Sequence, residues 1–177
     1  MYEDLKGKIP LILDGGKCNG GIESTVLDVT GETPRILRSG LITKEMIESV
    51  VGCCLIAEHK ESDKVKSPGV KYSHYMPKCA TARYEESELN IALAYYDEQE
   101  SLGEKVYIMC SERIKALVGK RKVLSLGSTP NEMASLLYER LREAEKVATL
   151  LIAIKDGASG GVYDGLFNRL DKACKKI

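Results

Sequence analysis

The sequence carries no surplus of charge: 26 lysine and arginine residues stand against 26 aspartate and glutamate residues. No global field therefore draws the chain to nucleic acid or to an anionic membrane, and any anion it binds has to be met by local groups. No apolar run approaches the roughly 20 residues of a membrane span. The opening Met1-Tyr2-Glu3-Asp4-Leu5-Lys6 has no basic and apolar leader layout. A cytoplasmic location without membrane contact is expected. The six cysteines (18, 53, 54, 79, 110 and 174) include no C-x-x-C pair, so reduced thiols serving as small apolar fillers are expected rather than disulfides or a metal knuckle. An H-E-x-x-H motif, a carboxylate dyad, a nucleophile and base at readable spacing, and internal repeats are all missing. Only two histidines occur: His59 lies in a charged stretch and reads as solvated, and His74 has no second histidine or acidic cluster to make a metal site with.

What the chain does have is an unusual strap in its middle. Ser67-Pro-Gly-Val-Lys-Tyr-Ser-His-Tyr-Met-Pro-Lys78 places two tyrosines and a histidine between two prolines. The residues before it, 58–66, are charged and small, as in a solvated connector. Proline restricts the backbone where the large rings sit, so the strap reads as a segment that packs on something. The plain alternative is a turn whose tyrosines cover one domain's edge.

The strap separates two unlike parts. Residues 1–57 read as strands and turns: Ile9 to Asp14, Ser24 to Val29, Pro34 to Arg38 and Cys53 to Ala57 as strands, with Thr43 capping a short helix that Gly52 stops. This is too little to close a core alone and reads as the end of a larger sheet. From Ala80 the pattern alternates. Helices are predicted over Ser87 to about Leu102, from the Thr129-Pro130-Asn131-Glu132 capping box to about Lys146, and through Tyr163 to Cys174. Strands are predicted at Val106 to Cys110, Val123 to Leu126 and Thr149 to Ile154. Interleaved strands and helices predict a small, mainly parallel α/β sheet.

Two glycine-rich loops could approach a ligand. In Asp14-Gly-Gly-Lys-Cys-Asn-Gly-Gly-Ile-Glu-Ser-Thr25 the glycines permit close backbone approach, Ser24 and Thr25 supply hydroxyls, and Arg38 can return from the neighbouring strand as a phosphate fork. The same pattern also describes a simple hairpin. The second loop, Asp156-Gly-Ala-Ser-Gly-Gly161, lacks G-x-G-x-x-G spacing and a P-loop lysine and reads as a helix-capping loop.

Taken together, Asp14-Gly-Gly, Gly21-Ile-Glu-Ser-Thr-Val26, Arg35-Ile-Leu-Arg-Ser-Gly40 and the strap through Lys78 resemble the second half of the two-domain L-threonylcarbamoyl-AMP synthases. The tail Gly160-Gly-Val-Tyr-Asp-Gly-Leu-Phe-Asn-Arg-Leu170 is similar to that family's terminal glycine loop and helix. The resemblance implies an α/β fold in three parts. These are the end of a twisted mixed sheet of a catalytic domain (1–57), a proline and tyrosine linker (58–79), and a small Rossmann-like three-layer α/β domain (80–177). It implies a nucleotidyltransferase that makes threonylcarbamoyl-AMP and pyrophosphate from threonine, bicarbonate and ATP, for threonylcarbamoyladenosine modification of tRNA. Ser24 would meet threonine, Arg38 would contact ATP, and the strap would bring Tyr75, or else Tyr72, onto the nucleotide. Mg2+ is expected with ATP, although no residue here is identifiable as its ligand. Implied partners are the N-terminal half of the catalytic domain and the threonylcarbamoyl-transfer machinery downstream.

The sequence departs from the family at Lys17, Ser39, Val70 and Met76, and none of these removes a group named above. The family's lysine and arginine motif would lie ahead of Met1, so the chain alone is expected to be inactive. Two other readings stand beside this one. The α/β domain could be a stand-alone nucleotide-binding or regulatory module. RNA binding has one feature in its favour, the five basic residues from Arg113 to Lys122.

Overall fold

The structure, a computed structural model, describes residues 2–16, 20–57 and 76–176. Tyr72, His74, Tyr75 and the rest of the strap as far as residue 75 lie outside the described residues.

After a single-turn helix α1 (Tyr2–Leu5), the first part builds a three-stranded sheet from β1 (Val26–Asp28), β2 (Arg35–Arg38) and β3 (Leu55–Ile56). β2 is central, antiparallel to β1 and parallel to β3, so the sheet is mixed. Between β2 and β3 runs α2 (Lys44–Val51). The Thr43 hydroxyl accepts the Met46 N–H at 3.3 Å at its start, and Gly52 ends it at φ 83°. Ile9 to Asp14, predicted as a strand, is not one. Leu11 and Leu13 are exposed, and no strand among the described residues pairs with the segment. An apolar run becomes a strand only where an edge accepts its hydrogen bonds. The apolar side of α2 is likewise unburied, with Met46, Val50 and Val51 all exposed.

The second part is a four-stranded parallel sheet of β4 (Ala80–Glu85), β5 (Val106–Cys110), β6 (Val123–Ser125) and β7 (Leu150–Lys155), in the order β4-β7-β5-β6. A 3-10 turn (Glu86–Glu88) and α3 (Leu89–Ser101) follow β4, α4 (Glu112–Lys115) follows β5, α5 (Pro130–Val147) follows β6, and α6 (Val162–Ala173) follows β7. Neither β4 nor α4 is among the elements the sequence predicts. In β4 the alanines, arginine and glutamate are poor strand formers, and pairing along the whole of β7 overrides that preference. The start of α5 matches its sequence signal: Thr129 accepts the Glu132 N–H, the Glu132 carboxylate accepts the Thr129 N–H, and Pro130 opens the helix.

The sheet is packed on both faces. Tyr96, Ile114 and Val118 from α3, α4 and the turn after it cover one side of Val106, Ile108 and Ile152. Leu137, Leu141, Leu166 and Leu170 from α5 and α6 cover Met109, Leu151 and Ala153 on the other. The result is three layers. The cores are not confined to residues 80–177, because Ile22 is buried in the α5–α6 cluster and Leu41 packs against it. At Gly21 the chain runs so close to α5 that a Cβ would fall onto the backbone of Ala134 and Ser135. At Gly165 a Cβ would meet Ile22 Cδ1 at 3.0 Å and the Ser39 carbonyl at 3.2 Å. No described helix is long and apolar enough to cross a membrane.

Candidate active site

Two of the predicted site residues come together where β1 begins and β2 ends. Arg38, the last residue of β2, points its guanidinium back across the pair: Nε donates to the Ser24 carbonyl at 3.1 Å and Nη2 to the Ser24 hydroxyl at 3.4 Å. Ser24 is exposed, and Thr25 beside it is tied down by its hydroxyl donating to the Ile42 carbonyl at 2.6 Å. A hydroxyl at the exit of a glycine loop therefore sits within reach of a guanidinium, as the strand and loop pattern predicts. A hollow of about 130 Å3 opens between β2, the end of β3 and α6, with Arg38, Ile56, Asp164 and Asn168 among its walls. Another hollow, of about 710 Å3, is walled only by residues between Tyr2 and Gly16, among them Asp14, Gly15 and Gly16 at the start of the first glycine loop.

Beneath Ser24 and Arg38 lies a network the sequence did not disclose. Arg169 of α6 is buried. Its Nε donates to Glu23 Oε2 at 2.9 Å and its Nη1 to the Ser39 carbonyl at 2.8 Å. The Tyr138 hydroxyl, from α5, reaches the same Glu23 carboxylate at 3.1 and 3.2 Å. Burial alone would raise the Glu23 carboxyl. The hydrogen bonds from Arg169, Tyr138 and the backbone, with the Arg169 charge, outweigh burial and hold it below the usual carboxylate range. Glu23 and Arg169 each sit within a family-like block, but they are 146 residues apart and no spacing links them.

The second glycine loop is occupied by the protein's own carboxylates. Glu86 accepts the Gly157 N–H at 2.6 Å, and Asp164 accepts the Gly160 N–H at 3.0 Å. Arg113 in turn forks onto Glu86 with two bonds of 2.6 Å, and the buried Asp156 accepts the Ser111 hydroxyl at 2.7 Å. Two of the loop's amides are thus taken by carboxylates, and the adjoining hollow of about 490 Å3 is lined by Glu85, Asp156, Asp164 and Asp171 with Lys155, an acidic surrounding unsuited to a phosphate. The loop is a helix cap. Most of the basic stretch near residue 113 is also paired: Arg113 with Glu86, Lys115 with Glu112, Arg121 with Asp97 and Lys122 with Glu100. The five described cysteines are unbonded. Burial pushes the Cys110 and Cys174 thiols up to about 12, which leaves them unreactive. No group of three or more metal-ligating side chains gathers among the described residues.

Fold and site together define a class: a three-layer parallel α/β domain onto which a short three-stranded mixed sheet, with a serine–arginine pair at its end, is clamped. The family described as "Threonylcarbamoyl-AMP synthase, C-terminal domain" matches residues 42–174, and one described as "Telomere recombination" matches residues 1–40. The chain belongs to the threonylcarbamoyl-AMP synthase family.

Among relatives, the threonylcarbamoyl-AMP synthase of Bacillus subtilis is 34% identical over 98% of this chain and 51% of its own length. That of Pyrococcus abyssi is 33% identical over 98% and 52%, and that of Schizosaccharomyces pombe 31% identical over 100% and 48%. The chain thus spans about half the length of the curated relatives it matches. The crystal structure of P. abyssi Sua5 complexed with L-threonine superposes with a TM-score of 0.81 at 31% identity, covering 99% of this chain and 54% of that one. A variant of the same protein, in which an adjacent histidine and tyrosine are replaced by alanine, also gives 0.81.

Proposed function

We propose that this chain supplies the C-terminal part of a threonylcarbamoyl-AMP synthase. That enzyme would make the adenylate and pyrophosphate from threonine, bicarbonate and ATP, for the threonylcarbamoyl modification of tRNA in the cytoplasm. The observation that carries the proposal is the contact between Arg38 and Ser24: the residue expected to meet nucleotide ends β2, and the one expected to meet threonine lies just ahead of β1, within hydrogen-bond reach of it. Adenylation transfers AMP from ATP to a carboxylate-type oxygen while pyrophosphate leaves. Charge builds on the phosphate oxygens, where a fixed guanidinium stabilises it. In this reading Arg38 faces phosphate and the Ser24 hydroxyl faces threonine. Tyr75, or Tyr72, closes over the nucleotide; the solved histidine–tyrosine variant directs attention to His74-Tyr75, the one such dipeptide in this chain.

The exposed apolar side chains support a further partner surface. Leu11, Leu13, Val29, Ile42, Val50 and Ile56 all lie before residue 58, on the side of the chain that carries the site. An N-terminal half of the catalytic domain would cover them, and the threonylcarbamoyl-transfer machinery would take the product. Mg2+ would accompany the ATP, and no group of three or more metal-ligating side chains gathers for it among the described residues. A stand-alone nucleotide module has less support, because carboxylates fill the second loop, and paired basic residues give RNA little to bind.

The test is adenylate synthesis from threonine, bicarbonate and ATP, by the chain alone and with the N-terminal half of the B. subtilis relative supplied. Product is expected in the combined reaction. There Arg38→Ala should lower ATP-dependent turnover roughly tenfold to a hundredfold, the equivalent of about 1.5 to 3 kcal/mol for a hydrogen bond to a charged group. No adenylate from either reaction, or full activity in Arg38→Ala, counts against the proposal.

A further inference from the structure

The β1–β2 ladder reaches Arg38 but stops short of Ser24. Its last registered pair is Val26 with Arg38, and the register slips between Val26 and Leu27, so the ladder gives Ser24 no registered partner. The support comes instead from the α/β domain. Glu23 immediately precedes Ser24 and Ser39 immediately follows Arg38, and Arg169 holds both, the one through its carboxylate and the other through its carbonyl. Tyr138 grips the same carboxylate, and Ile22 is sunk among the α5 and α6 side chains. One guanidinium therefore spans the two backbones that flank the serine–arginine pair.

Stability alone does not account for an arginine here. Its helix neighbours Leu166 and Ala173 are buried in the apolar core, Lys172 is the other charged group of α6 on this side, and Arg169 Nη2 is buried with no hydrogen-bond partner among the described residues. Burying a charged group with one donor unused carries a desolvation cost that a packed apolar side chain would avoid. What an apolar side chain cannot do is bond two separate backbone segments at fixed geometry.

We infer that Arg169 is a positioning residue for the site: by bridging Glu23 and Ser39 it sets the spacing of Ser24 and Arg38, and through it the α/β domain governs how the site meets its substrates. This rests on the assignment of Ser24 and Arg38 proposed above.

The experiment follows exchange of the Arg38 side-chain Nε–H by NMR in the full 177-residue chain. Arg169→Met should speed that exchange about tenfold or more, while the amides of Ile152 to Ile154 in β7 keep their protection. Arg169→Lys, which can reach Glu23 but cannot fork to Ser39, should fall between. Tyr138→Phe keeps the ring and should shift Arg38 in the same direction by less, and it decides the matter if Arg169→Met does not fold. Unchanged Arg38 exchange, or β7 amides that accelerate in step with it, overturns the inference. In the combined enzyme reaction Arg169→Met should raise the KM for threonine about tenfold, with partial rescue by Arg169→Lys. If that reaction yields no adenylate even with the native chain, the functional proposal fails while the exchange result still decides the role of Arg169.

Discussion

At the scale of single residues, the charged groups of this chain act mostly as ties between segments. Glu86 is the clearest case, because it joins the turn after β4 to Arg113 of α4 and to the Gly157 amide after β7. The Arg113 fork first, and the Gly157 N–H next, pull its carboxyl from the ordinary 4.5 to about 2. A carboxyl depressed in the folded state contributes stability above its unfolded pKa, and that contribution is lost as pH falls towards the folded value. Glu86→Gln should therefore cost about 1 kcal/mol at neutral pH, as a good surface pair does. The gap between the two proteins in urea unfolding should stay constant down to about pH 5 and close as the pH approaches 2. A gap independent of pH would show that the tie carries no charge-linked stability.

At the scale of elements, what distinguishes the structure is the closeness of the segment after the first glycine loop to α5 and α6. Gly21 lies against the backbone of Ala134 and Ser135, where no flexible side-chain end is available to yield. Gly21→Ala should therefore push the segment off α5 and cost about 1 to 3 kcal/mol, the range for forced overpacking. Gly31→Ala is the matched control. A Cβ there meets nothing within 4 Å, and the change should stay within about 0.5 kcal/mol. Thermal melts of the two variants separate the cases, and equal melting would mean that the segment is not docked as described. The same closeness explains why Ser24 and Arg38 are well placed although their own sheet is short.

At the scale of the whole molecule, apolar burial is unevenly shared. The parallel sheet is covered on both faces, whereas most of the exposed large apolar side chains belong to residues before 77. We propose that residues 80–177 form an independent folding unit and that residues 1–57 do not. Expressed alone, 80–177 should unfold cooperatively but less stably than the full chain. It loses the buried Ile22 and the cover of Leu41, and burying one such side chain is worth about 1.5 to 3 kcal/mol. Residues 1–57 alone should show no cooperative transition, because so few short strands bury too little apolar area. A fragment 80–177 without a cooperative melt would sink this division.

The sequence by itself determined the local elements with strong chemical punctuation. The Thr129–Glu132 box started α5, Thr43 and Gly52 bounded α2, and unbroken apolar runs gave β5 and β7. It also determined that a glycine-loop hydroxyl and a returning guanidinium could share one place, since the loop that carries the one leads into the strand beside the other. It misjudged Ile9 to Asp14 and passed over β4, because being a strand depends on a neighbour that pairs, and pairing is not written in the strand's own residues. Only the tertiary structure decided what underlies the site. Glu23, Tyr138 and Arg169 come from three distant stretches, and the reason they meet is the docking of two glycine-thin backbones against α5 and α6, a contact that no local pattern encodes.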